Sequence, residues 1–209
     1  LASPDFDLSD FSNLLISGNN LLASLRSSVA SRAAFEVLFD THLSLAGAIT
    51  PAQRPLFLGI LHRQGYELNQ FLNALIPANT LLLNLRASGA SAKRTAFYTL
   101  FKQSTEAGPV SASLRQLLLS LVSDNGYSLK DFLNSLIKAR DLATYLWVRP
   151  EQLAAFNSLF GIDLKEAEPL NDAQKDALFA VVSSSNPAYS KNSFTGALVK
   201  NSRLFAELR

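Results

Sequence analysis

The chain has no cysteine and no methionine, only two histidines, and few charges for its 209 residues. Without cysteine there is no disulfide, no thiolate nucleophile and no cysteine-ligated zinc. His42 and His62 fall in neither a His-x-x-x-His nor a His-Glu-x-x-His spacing, so zinc lacks a ligand set. Charged residues make up 17 %, against a usual share of about 25 %. Less side-chain surface is therefore destined for water alone, and much of each element must be covered. The net charge is only +2, and no basic block is denser than Lys93-Arg94 or Lys138-Ala139-Arg140; a nucleic-acid footprint needs a stronger patch. No apolar run reaches the length of about 18 residues that a membrane span needs.

Catalytic signatures are equally sparse. There is no glycine-rich phosphate loop and no Gly-x-Ser-x-Gly elbow. Ser135-Leu136-Ile137-Lys138 and Ser123-Asp124-Asn125 match two motifs of penicillin-recognising enzymes, but in the wrong order and without Lys-Thr-Gly. Asp163, Glu166 and Glu168 could bind a cation, although a loop of such residues is ordinarily just solvated. The expectation is a protein without enzymatic activity, cofactor or metal. Position 1 is not methionine; the sequence is either a processed form or a trimmed one, a removed signal peptide is one explanation, and with it the expectation is a secreted protein.

What is present is a repeat. Gly126-Tyr127-Ser128-Leu129-Lys130-Asp131-Phe132-Leu133-Asn134 has three relatives, at 6–11, 66–73 and 189–194. Their anchoring phenylalanines, Phe11, Phe71, Phe132 and Phe194, are spaced by 60, 61 and 62 residues. A period of that size marks stacked supersecondary units. Each copy reads as a helix start. Asp7, Glu67, Ser128 and Ser190 stand at the N-cap, where Asp and Ser are strong and Glu is weak. Phe6, Tyr66, Tyr127 and Tyr189 precede the caps, at the spacing of a hydrophobic staple to the anchor. Gly65 and Gly126 suit the left-handed end of the helix before. Asn13, Asn73 and Asn134, two residues past the anchor, read as helix-flank residues or as a shared interhelical contact.

The periodicity of apolar residues predicts an all-α fold of about ten helices, in the order A-B-C three times and then a lone A. The boundaries of the single predicted domain, 1–209, enclose repeats near 7–65, 66–126, 127–188 and a partial fourth at 189–209. Helices A are expected near 8–26, 67–86, 128–147 and 190–208. Pro77 should kink the second or split it in two. Helices B are expected near 30–47, 91–107 and from Pro150 to a stop at Gly161. Helices C are expected from Thr50-Pro51 to Gly65, near 111–124, and from an Asn171 cap. Residues 162–170 are read as the longest loop. A terminal helix is what a repeat array needs to cap its last apolar face. The array either runs as an open superhelix or curls around a central apolar space.

On the B helices Phe35, Phe39, Phe97, Phe101, Phe156 and Phe160 recur at equivalent places. Leu75, Leu82, Phe132 and Leu136 lie on the leucine-rich faces of the A helices. Such rows are either plain core or the lining of a ligand cavity. With no polar catalytic cluster in view, these ten are the candidate ligand-binding residues for an apolar small molecule such as a lipid, fatty acid or pigment. The alternative is a structural or interaction module that self-associates or offers a concave surface to a protein partner.

Phe71-Leu72-Asn73-Ala74-Leu75-Ile76-Pro77, after Gly65-Tyr66, resembles the insect allergen-related repeat proteins, which include the cockroach group 1 allergen and the insect midgut microvillar proteins. Gly126-Tyr127 with Phe132-Leu133-Asn134 repeats the first half. The resemblance covers about a dozen residues per unit. It implies a secreted all-helical shell around a lipid-filled cavity, with no catalytic residues to carry over.

Overall fold

The computed structural model describes residues 8–62, 67–123, 128–184 and 188–207. Among them it is all-helical, with no strand. The helices are α1 (Leu8–Ser27), α2 (Val29–Phe39), α3 (Arg54–Leu61), α4 (Leu68–Arg86), α5 (Ser91–Phe101), α6 (Ala112–Ser123), α7 (Leu129–Trp147), α8 (Pro150–Phe160), α9 (Asp172–Ser183) and α10 (Lys191–Glu207).

The cap chemistry survives where it is described. Ser128 accepts the backbone N–H of Asp131 at the head of α7. Asn171 and Gln174 form a reciprocal capping box on α9. Tyr189 and Phe194 sit 6.5 Å apart, centroid to centroid, as a staple at the head of α10. The caps and staples placed at Phe6, Asp7, Tyr66 and Tyr127, and the glycine stops at Gly65 and Gly126, lie outside the described residues.

The B helices end sooner than the periodicity suggests. Expected to reach 47 and 107, α2 and α5 stop at Phe39 and Phe101. Each is closed by a left-handed residue, Asp40 (φ 48°) and Lys102 (φ 54°), where α8 uses Gly161 (φ 63°). Only the glycine announces itself in the sequence. The early stop lengthens the following segment, so 40–53, not 162–170, is the longest link among the described residues. Thr50-Pro51 opens a turn rather than α3, which starts at Arg54 and ends at Leu61. A left-handed residue with a Cβ is strained, so Lys102→Gly is expected to stabilise by about 0.5–1 kcal/mol, less whatever Lys102 gains over Trp147. A rise in the urea midpoint at constant m-value checks it.

Pro77 neither ends nor splits α4, which runs unbroken from Leu68 to Arg86. Proline in a helix interior costs about 3 kcal/mol relative to alanine. Ala74, Leu75, Ala78, Leu81, Leu82 and Leu85, on both sides of it, are all at most 3 % exposed. Their burial outweighs the lost hydrogen bond.

Contacts within the chain gather into two compact units: Leu1–Leu83 with Ala107–Tyr127, and Asn84–Glu106 with Ser128–Arg209. In the first, α1 packs on α2 and α3. Gly18 marks the close approach of α1 to α3; a Cβ there would lie 3.3 Å from Leu61 Cδ1. Phe35 stacks on Phe39 at 4.4 Å and meets Phe57 at 5.6 Å, while Phe39 meets Phe71 edge-on at 6.1 Å. The Arg115 guanidinium lies 4.3 Å from the Phe39 ring centroid and donates to the Leu38 carbonyl.

In the second unit α7 is the hub. Leu136, Ala139, Leu142, Ala143 and Leu146 are fully buried along it, and it packs against α5, α8 and α9. Phe132 stacks on Phe179 at 5.1 Å and approaches Phe101 at 6.5 Å. Helix α8 packs in turn on α10. The only tryptophan, Trp147, ends α7, with the Lys102 ammonium 5.5 Å from its ring centroid.

Candidate functional site

The second phenylalanine of each B helix meets a different fate. Phe39 and Phe101 are covered, at 6 % and 2 % exposure. Phe160 is 38 % exposed, and it faces an apolar cleft of about 610 Å³. That volume falls in the range of small-molecule sites. Phe160 comes from the last turn of α8. Ala180 and Val181 come from the end of α9, with Ser184 just beyond. Ala188, Tyr189 and Ser190 lead into α10, whose first turns add Ser193, Phe194 and Ala197.

The cleft has a simple origin. Phe156 and Phe160 hold each other at 4.5 Å, Phe156 meets Phe194 edge-on at 6.3 Å, and Phe194 is stapled to Tyr189. Phe160, Tyr189 and Phe194 form the walls, with Phe156 packed behind them. Alanines at 180, 188 and 197 leave the space between them unfilled. The polar groups along the lining are hydroxyls and carry no charge. The Tyr189 hydroxyl is buried and has no hydrogen-bond partner among the described residues. Burial pushes it above its ordinary pKa of 10.0, and the Asp141 carboxylate adds to the shift. It stays protonated at neutral pH, as a donor without an acceptor. Its stabilising share is complete below the unfolded pKa and is lost as pH rises toward the raised folded value.

Of the ten candidate residues, Phe160 lines this cleft. Phe35, Leu75, Leu82, Phe97, Leu136 and Phe156 are fully buried, and Phe39, Phe101 and Phe132 are at most 9 % exposed. These nine sit in packed surroundings, ring against ring wherever a phenylalanine is involved. The spacing of Tyr189 and Phe194 marks them only as a staple, and nothing in the sequence singles out Ala180, Ala188 or Ala197. Small residues on separate elements carry no signal until the fold brings them to one place.

The remaining candidates resolve into ordinary structure. The Lys165 ammonium lies 3.2 Å from Asp163 and 3.5 Å from Glu168. Its hydrogen bond to Asp163, with the two carboxylate charges, raises its pKa above 10.5. No cluster of three metal-ligating side chains occurs among the described residues. Ser135 shares a hydrogen bond with Ser183 at 2.9 Å in a part-buried interhelical contact. Exposed His42 pairs with Glu36. Asn13, Asn73 and Asn134 are all exposed, which fits helix flanks rather than an interhelical contact.

No family model matches the chain, and no curated protein or solved structure matches it either. No helix among the described residues is long and apolar enough to cross a membrane.

Proposed function

We propose that this chain binds an apolar small molecule, such as a fatty acid, another lipid or a pigment, and catalyses no reaction. The cleft between α8, α9 and the start of α10 carries the reading. It is of ligand size, walled by aromatic and aliphatic carbon, and edged by uncharged hydroxyls. Affinity comes from apolar area removed from water, about 25 cal/mol per Å² before ordering costs. The serine hydroxyls at its edge offer donors to a carboxyl or carbonyl head. Descent from the insect allergen-related repeat proteins and residence outside the cell belong to the same proposal. Descent is supported by the Phe-Leu-Asn anchors at 71–73 and 132–134, and residence outside the cell rests on that resemblance.

A fluorescent polyene fatty acid, cis-parinarate, is the direct probe. It should bind the purified protein saturably and be displaced by oleate. Ala197→Trp, which fills the cleft, should weaken binding at least about tenfold while the circular dichroism spectrum is unchanged. Absence of saturable binding to the parent protein, or equal binding by the variant, would sink the reading.

A second reading, an interaction module that self-associates, has one observation in its favour. Leu15 and Ile16, adjacent on α1, are each 58 % exposed. Light scattering at rising concentration separates it: growth in mass that Leu15→Lys abolishes favours association.

A further inference from the structure

A second cleft, of about 300 Å³, lies along α5 in the second unit. One wall is a single helix face, Ser91, Arg94, Thr95 and Tyr98; the other is the strip 104–106. Its meaning comes from the sister segments. In the first repeat the Glu36 carboxylate accepts the backbone N–H of Leu43 at 2.7 Å. In the third, the Asn157 side-chain oxygen accepts the backbone N–H of Leu164 at 3.1 Å. A side-chain oxygen from the B helix thus closes the loop behind it both times.

The second repeat breaks this pattern at both ends. Tyr98 stands 62 residues after Glu36 and 59 before Asn157, and Thr105 stands at the same distances from Leu43 and Leu164. Tyr98 is 56 % exposed and has neither carboxylate nor amide to offer. Thr105, only 3 % exposed, has a buried hydroxyl with no hydrogen-bond partner among the described residues. Buried polar groups are normally satisfied. The Arg86 guanidinium fixes the Thr105 carbonyl at 3.1 Å, so the strip is held in place.

The charge in the cleft has the sign to match a missing oxygen. Arg94 donates through Nη1 to the carbonyls of Leu85 and Ala87 and approaches the Glu106 carboxylate at 3.8 Å. That ion pair is long, and Glu106 is 76 % exposed, so it neutralises Arg94 weakly. The first turn of α5 has no acidic residue, and its N-cap residue, Ala90, provides no side-chain acceptor.

We propose that the α5 cleft binds a small carboxylate, one oxygen accepting from the Thr105 hydroxyl and the other facing Arg94, at the place where Glu36 and Asn157 send a side-chain oxygen to the backbone N–H of their own loops. The bound group displaces Glu106 from Arg94. This site is independent of the apolar cleft at Phe160.

Acetate, the simplest carboxylate, is the probe. It is titrated into the isotopically labelled full chain at constant ionic strength, with chloride as control, and amide chemical shifts are followed. The Thr105 amide should shift saturably with acetate and not with chloride. Arg94→Ala should weaken the response about tenfold. Tyr98→Glu restores the internal oxygen of the first repeat and should abolish the response while raising the melting temperature; Tyr98→Asn, which copies the third repeat, should do the same. No saturable shift in the parent protein, or an undiminished shift in both Tyr98 variants, would overturn the proposal.

Discussion

Phe97→Ala is expected to destabilise the protein by about 3–5 kcal/mol, the usual cost of emptying a buried phenylalanine position. Phe97 is fully buried and holds Phe101 at 4.9 Å, and Phe101 in turn approaches Phe132 on α7. Truncation therefore removes transfer free energy and leaves a void beside the hub of the second unit. Phe160→Ala, the same chemical change on α8 at the position that corresponds to Phe101, should cost clearly less. Its ring is already 38 % exposed and borders open space. The comparison separates core from lining by a single measurement, the denaturant midpoint at constant m-value. Equal losses at the two sites would mean that the Phe160 cleft is not open in solution.

Gln174→Ala should have the next largest effect, a loss of about 2–4 kcal/mol, from two backbone groups left unpaired at about 1–3 kcal/mol each. Gln174 is 5 % exposed and does three things. Its backbone N–H donates to the Asn171 side chain, its side-chain oxygen accepts the Asn171 N–H, and its side-chain nitrogen donates to the Asp163 carbonyl. Alanine keeps only the first. Gln174→Glu keeps the acceptor but sets a carboxylate oxygen against the Asp163 carbonyl, so it should not rescue. Gln53 makes the matching bonds, to the Thr50 N–H and the His42 carbonyl. It is less buried, and water can replace its bonds, so Gln53→Ala should cost less. Urea denaturation of the three variants ranks them.

The A helices are readable in the sequence because their starts are written in side chains. Ser128 caps α7, Asn171 does the same for the C helix α9, and Tyr189 staples to Phe194 as its spacing demands. The ends of the B helices are not readable. Asp40 and Lys102 take the left-handed turn that a glycine would have advertised, and apolar residues such as Leu43 continue past it into loops where they are buried all the same. Periodicity cannot distinguish a buried loop residue from a buried helical one. The phenylalanine rows are legible as a pattern but not as a site. Whether a ring packs or lines a cleft depends on residues elsewhere, and at Phe160 these are alanines on α9 and α10. The departures of the second repeat at Tyr98 and Thr105 are visible in the sequence only once Glu36 and Asn157 are known to close their loops.

Trp147 gives the protein a built-in optical probe that is partial. As the sole indole, ending α7 in the second unit, it makes emission a record of that unit's melting. Far-UV ellipticity weighs every helix in both. If the two curves separate on heating, the gap measures how independently the two halves of the chain come apart.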